Sequence, residues 1–147
     1  QLITIIPNII GGDRVITAEQ LANLTACEAL VIRTEPNDLN KFTVNYSDTN
    51  PTYMDVACVE VLNKLGVKHL LVDILSVDKE IDGGALAFHH AFWNVPEQPI
   101  TNRTITELIY VPNEAEDGPY ILELQLSNFD NDAAPSRPLL YKKRKEA

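Results

Sequence analysis

Leu65-Gly66-Val67-Lys68-His69-Leu70-Leu71-Val72-Asp73-Ile74-Leu75-Ser76-Val77-Asp78 is the stretch that decides the fold. Gly66 stands near its start, the apolar run Leu70-Leu71-Val72 lies at its centre, and three polar residues, Asp73, Ser76 and Asp78, mark its end. An apolar run that does not alternate marks a strand covered on both faces, the pattern of a parallel sheet. Residues 67–74 therefore read as a buried strand. Gly66 stands where a preceding helix would end in left-handed backbone. That helix reads from Thr52, with Asp55 at the capping-box position and Val56, Val59, Leu62 and Leu65 on one apolar face. Further upstream, Glu28-Ala29-Leu30-Val31-Ile32-Arg33 holds a second unbroken run. Strand, helix and strand thus occur once in full, which predicts a parallel pair joined by a right-handed crossover.

The rest of the chain is placed around this unit. Residues 3–6 read as a short strand, and Pro7-Asn8 with Gly11-Gly12-Asp13 as a loop. Thr17 and Gln20 form a capping box before a short helix over residues 18–23. Residues 34–51 form a long polar loop, of a length that is more often functional than a plain connector. Residues 76–84 are loop and residues 85–93 a short helix or turn. Residues 104–111, 120–127 and 138–143 read as strands. No internal repeat is found. The opening Gln1-Leu2-Ile3-Thr4-Ile5-Ile6 has no initiator Met, and it reads as a strand already in progress. It is too short and too uncharged at its front for a signal peptide. The expectation is a fragment or a processed product, forming one domain over residues 1–147.

The 147 residues, 45% of them apolar, are enough for one domain with a core. Twelve basic against 21 acidic residues give a net charge of −9, which argues against nucleic acid as a partner. The one basic cluster, Lys142-Lys143-Arg144-Lys145, reads as a solvated tail. No apolar stretch is long enough to span a membrane. Cys27 and Cys58 sit in apolar segments without C-x-x-C spacing. They read as buried, reduced thiols, hence a cytosolic protein, with a pairing between them as the alternative.

Several side chains are candidates for chemistry. His69 lies within a strand and reads as structural. His89 and His90 are adjacent, follow a Gly-Gly loop, and stand beside Phe88, Phe92 and Trp93. Neutral imidazole is the commonest metal ligand, and a carboxylate nearby would complete half a site. Glu107, among the β-formers Thr104-Ile105-Thr106-Glu107-Leu108-Ile109, is that carboxylate. A metal, an arginine partner or exposure would each relieve the cost of placing it there. Asp73, Ser76 and Asp78 end a strand, where they line a ligand crevice or form a local Asx-type turn. Arg137 pairs with a buried carboxylate or touches substrate. The N-x-[ST] sequons at Asn23, Asn45 and Asn102 carry no weight. With no G-x-S-x-G, P-loop, zinc ribbon or G-x-G-x-x-G, nucleophilic Ser or Cys catalysis has no support.

Six segments, in the same order along the chain, resemble those of one family. The 65–78 stretch resembles the G-V-x-L-x-G-x-D-x-x-S-x-D segment of the metal-dependent cyclase family, which includes bacterial kynurenine formamidase and isatin hydrolase. Val31-Ile32-Arg33-Thr34 is similar to its L-L-R-T. Ala87-Phe88-His89-His90 resembles its x-A-H-H, and Ile105-Thr106-Glu107-Leu108 its x-L-E-N-L. Gly118-Pro119-Tyr120 and Asp132-Ala133-Ala134-Pro135-Ser136-Arg137 resemble its G-x-Y and D-x-S-P-x-R.

The resemblance implies an α/β fold, a swivelling β/β/α domain that is incomplete at its N-terminus, assembled as a homo-oligomer. It implies His89 and Glu107 as two ligands of a divalent metal, Zn or Mn, with His90 as the alternative to His89. It implies a hydrolase of amide or cyclic amide bonds in a small molecule, such as an N-formyl aryl amide. The family's H-x-G-T-H-x-D-x-P-x-H motif is absent, so the general acid/base histidine is expected upstream of Gln1, with His90 the nearest substitute. Two departures stand out. The His89–Glu107 connection is longer than usual, with Pro96-Glu97-Gln98-Pro99-Ile100 as the extra residues, and Leu108 stands where the family has Asn. The expectation is a chain that binds metal poorly and does not hydrolyse its substrate alone. The alternative is a non-catalytic domain that keeps the fold and binds a ligand or partner.

Overall fold

The computed structural model describes residues 1–142; Lys143, Arg144 and Lys145 of the basic cluster lie outside the described residues. Along the chain run β1 (Leu2–Ile5), β2 (Asn8–Ile10), β3 (Asp13–Ile16), α1 (Ala18–Leu21), β4 (Ala29–Thr34), β5 (Tyr53–Met54), α2 (Cys58–Leu65), β6 (His69–Val72), α3 (Ala87–Trp93), β7 (Thr104–Thr106), β8 (Tyr120–Leu126) and β9 (Ser136–Lys142). This is a mixed α/β chain built on a four-stranded parallel sheet of order β1-β4-β6-β7. The parallel pair expected from the two apolar runs is β4 and β6, with Val31 beside Leu71 and Ile32 beside Val72.

Side chains alternate across that sheet, so each apolar run serves two layers. Leu30, Ile32, Leu70 and Val72 pack into the main core with Cys58, Val59 and Leu62 of α2 and Phe88 and Phe92 of α3. Val31 and Leu71 face the other way, with Leu2 and Val111, against the partly buried Tyr120, Leu122, Leu124 and Leu140 of the β8–β9 hairpin. The hairpin covers that face loosely, leaving a cleft of about 850 Å³ lined by Val31, His69, Leu122, Leu124 and Leu140. His69, read as structural, stands at the cleft wall, its Nδ1 2.9 Å from Thr104 Oγ1. Arg33 points to the same side as Val31 and is buried. Its guanidinium donates to Thr4 Oγ1 and, at 2.9 Å each, to the carbonyls of Pro112 and Ala115, which fastens that loop across β1 and β4.

Three readings are corrected. The expected loop over residues 7–13 is an antiparallel β2–β3 hairpin, turned by Gly11 and Gly12 at φ +60° and +94°. Two consecutive positive-φ residues suit the right-handed twist of a two-residue hairpin turn, and glycine takes them without penalty. The helix expected from Thr52 begins at Cys58, because Tyr53 and Met54 pair with Val15 and Ile16 of β3. Val56 is therefore 47% exposed rather than part of the apolar face. The strand expected over residues 104–111 ends at Thr106, because Leu108 adopts φ +55° and turns the chain off the sheet. Gly66 ends α2 at φ +78°, and the Thr17–Gln20 box is present, with Gln20 Oε1 accepting the Thr17 N–H at 3.0 Å. No helix among the described residues is long and apolar enough to cross a membrane.

Candidate functional site

The carboxyl ends of the four parallel strands share one edge, where Thr34 ends β4, Asp73 follows β6 and Glu107 follows β7. Loops at such an edge are free to carry polar side chains over a rigid floor. Two consecutive residues in the loop after β6 organise what gathers there.

The first is Val77. Its carbonyl accepts the Met54 N–H at 3.0 Å, and its own N–H donates to Glu107 Oε1 at 2.8 Å. Leu108 N–H donates to the Ile74 carbonyl at 3.1 Å, so the turn carrying Glu107 is fastened to the same loop twice. The second is Asp78, which is buried. The residue at the N-cap of helix α3 is Leu86, which has φ +45° and no side chain able to accept a hydrogen bond. The first amides of a helix need an acceptor. Asp78 supplies it from a distance, accepting the N–H groups of Phe88 at 2.7 Å and His89 at 3.3 Å. The same carboxylate stands 2.5 Å from His89 Nδ1.

Held in this way, His89 and Glu107 meet, with Nε2 and Oε1 3.7 Å apart. That gap is too long for a hydrogen bond. It falls within the roughly 3–4 Å that separates two atoms ligating one ion through bonds of about 2.1 Å. An imidazole nitrogen and a carboxylate oxygen are also the donor types that zinc and manganese accept. The pair fits half of a metal site. Among the described residues, no group of three or more His, Cys, Asp or Glu side chains forms a complete one. Trp93, one turn after His89, covers the imidazole with ring centroids 5.1 Å apart, and its Nε1 donates to the Arg103 carbonyl at 3.2 Å.

The remaining candidates fall elsewhere. His90 is exposed. Asp73 receives the Thr34 N–H, the Thr34 hydroxyl and the Lys41 ammonium. It lines a separate pocket of about 290 Å³ with Arg14, Thr34, Lys41, Tyr46 and Leu75. Burial, and then the nearby Asp73 carboxylate, raises the Tyr46 phenol above its ordinary value. Ser76 makes the local turn, its Oγ accepting the Asp78 N–H at 3.2 Å. Arg137 is exposed on β9 opposite Gln125 and has no carboxylate partner among the described residues. The sequence reading missed the partnership of Asp78 with His89. Its signal was a helix whose N-cap residue, Leu86, cannot cap it.

No family model and no curated protein matches the chain. A solved structure described as a potential metal-dependent hydrolase with cyclase activity is similar, with a TM-score of 0.71 at 16% identity. The fold is cyclase-like. The likeness covers 98% of this chain and 64% of that one, so the chain spans less than two-thirds of its neighbour's length.

Proposed function

We propose that this domain belongs to a metal-dependent hydrolase of amide or cyclic amide bonds, such as an N-formyl aryl amide, with His89 and Glu107 as two ligands of a Zn or Mn ion. The approach of His89 Nε2 to Glu107 Oε1 at 3.7 Å carries the reading. The cyclase-like fold, shared with a protein described as a potential metal-dependent hydrolase, supports it. A bound divalent ion supplies Lewis-acid polarisation of a carbonyl and makes water more acidic.

The chain's own residues prepare the site. Val77 fixes the Glu107 carboxylate through one oxygen. Trp93 shields one side of the His89 ring. Two ligands fall short of the three that a catalytic zinc site commonly has. The remaining ligands and the acid/base histidine are proposed to come from sequence outside these 147 residues, so the chain alone binds metal weakly and is inactive. A cytoplasmic setting is supported by two unpaired thiols. A homo-oligomer is supported by exposed Ile121, Leu126, Phe129 and Tyr141 on one hairpin.

Trp93 is the only tryptophan and lies against His89, so it reports on the site directly. Co²⁺ added to the chain should quench its fluorescence saturably, and His89→Ala and Glu107→Gln should each abolish saturation. Equal quenching in all three proteins would refute the pair as ligands. Hydrolysis of N-formylkynurenine with Zn²⁺ or Mn²⁺ should be seen with the full-length gene product and not with this chain. Comparable turnover by both would show that the chain needs no outside ligand.

A further inference from the structure

We propose that Asp78 is a positioning residue: it holds the hydrogen of His89 on Nδ1 and so leaves the Nε2 lone pair turned towards Glu107 for a metal ion. The proposal rests on the metal reading above and adds the residue that makes His89 competent for it.

The argument starts from what a carboxylate can do. An ionised carboxylate accepts hydrogen bonds and donates none. The imidazole nitrogen 2.5 Å from Asp78 Oδ2 is Nδ1, so the hydrogen between them belongs to the ring. In neutral imidazole the other nitrogen then has no hydrogen and is the acceptor. That nitrogen is Nε2, the one facing Glu107 Oε1. Two electron-rich atoms facing each other without a hydrogen between them repel, and a cation placed there relieves the repulsion.

Asp78 is held for this task. Phe88 N–H donates to Oδ1 at 2.7 Å, which orients the carboxylate so that Oδ2 is left for His89. The fragment Val77-Asp78 therefore supports both ligands, Glu107 by a backbone amide and His89 by a side chain. An outer carboxylate behind a ligating histidine fixes ring tautomer and orientation, and losing such a partner typically costs about 10–100-fold in metal affinity.

Asp78→Asn separates this role from helix capping. The asparagine oxygen still accepts the Phe88 N–H, the shorter of the two backbone contacts. Its amide then sits opposite His89 Nδ1 and donates, which moves the ring hydrogen to Nε2 and points it at Glu107.

The test is ¹⁵N NMR of the histidine side chains near pH 8, assigned with His69→Gln and His90→Gln, beside Co²⁺ titration followed by Trp93 fluorescence. The expected result is an Nδ1–H tautomer for His89 in the native chain and an Nε2–H tautomer in Asp78→Asn. Co²⁺ affinity should fall about tenfold or more in the variant, with little change in its unfolding midpoint. An Nε2–H tautomer in the native chain overturns the proposal, and that spectrum decides even if Asp78→Asn does not fold. An unchanged tautomer and unchanged Co²⁺ affinity in a folded Asp78→Asn also overturn it. The expected tautomers with no Co²⁺ binding by either protein would uphold the role of Asp78 and reject the metal reading instead.

Discussion

The Lys41 ammonium lies 2.7 Å from Asp73 Oδ2, and the aspartate side chain is wholly out of water while that of the lysine stays 15% exposed. The pair joins the long loop after β4 to the end of β6. Lys41 also donates to the Thr34 carbonyl at 2.6 Å and to Asn37 Oδ1 at 3.1 Å. Asp73 also takes the Thr34 N–H and hydroxyl. A buried pair with every group satisfied adds little over an apolar pair, but removing one partner strands a charge and costs about 3–5 kcal/mol. Lys41→Met should therefore destabilise the domain by about 3 kcal/mol, the lower end, because water reaches Lys41. Adding Asp73→Asn to Lys41→Met should return part of that loss. Urea unfolding checks both variants, and a loss below about 1 kcal/mol for Lys41→Met would mean that water solvates Asp73 once the lysine is gone.

The parallel core was legible because its signal is local. Residues 29–32 and 70–72 are uninterrupted apolar runs, and burial on both faces demands such runs. The β2–β3 hairpin was not, because Asn8, Ile9 and Ile10 are all exposed and show no alternation. Glu107 was placed inside a strand because its neighbours favour β structure, and composition cannot register the positive φ of Leu108. The meeting of His89 with Glu107 was expected from family resemblance, and the structure brings the two together. The anchors were invisible. Val77 acts through its backbone, and Asp78 acts on a helix ten residues downstream, so neither leaves a spacing pattern. The partner of Asp73 was invisible for a related reason, since Lys41 lies in a loop with no periodicity to place it.

Leu108 offers a test of backbone strain beside the site. Left-handed backbone costs an L-residue with a bulky side chain roughly 1–2 kcal/mol, and asparagine tolerates it better. The leucine side chain is 57% exposed, so little burial is lost on replacing it. Leu108→Asn should raise stability by about 0.5–1 kcal/mol in urea unfolding. A lower stability would show that the leucine makes contacts that outweigh the strain.

The two thiols should differ in reactivity. Burial pushes the Cys58 thiol up to about 12, and its Sγ contacts the Ile16 carbonyl at 3.4 Å. Cys27 is half-buried, and burial raises its pKa as well. Thiolate is the reactive form, so a disulfide reagent near pH 8 should modify Cys27 slowly and leave Cys58 untouched until the protein unfolds. The check is thiol counting with and without denaturant. Rapid modification of two thiols in the native protein would contradict the burial of Cys58.

Asp13 should make the domain acid-sensitive in a defined window. Its carboxyl is held at about 2, below the ordinary 3.8, first by the Lys79 ammonium and then by the Asn50 side chain. The contacts are 2.6 Å to Lys79 Nζ and 2.8 Å to Asn50 Nδ2. A carboxylate with a depressed folded pKa stabilises the fold fully above its unfolded pKa, and loses that contribution as pH falls through the folded one. The wild-type advantage over Asp13→Asn should therefore be complete near pH 6, begin to shrink below about 3.8, and be largely gone at about 2. Other lowered carboxyls, among them those of Glu60 and Glu123, titrate in both proteins and cancel in the difference. The pair should weaken again at the alkaline end, because Lys79 is raised above its ordinary 10.5 by Asp13 and loses its charge beyond that. Both side chains retain some exposure, so added salt should narrow the gap at every pH. The measurement is urea unfolding of the two proteins across pH 2–6 at low and high ionic strength. A difference that stays constant down to pH 2 would show that the Asn50 and Tyr53 hydrogen bonds, rather than the charge on Asp13, hold β3 to the loop.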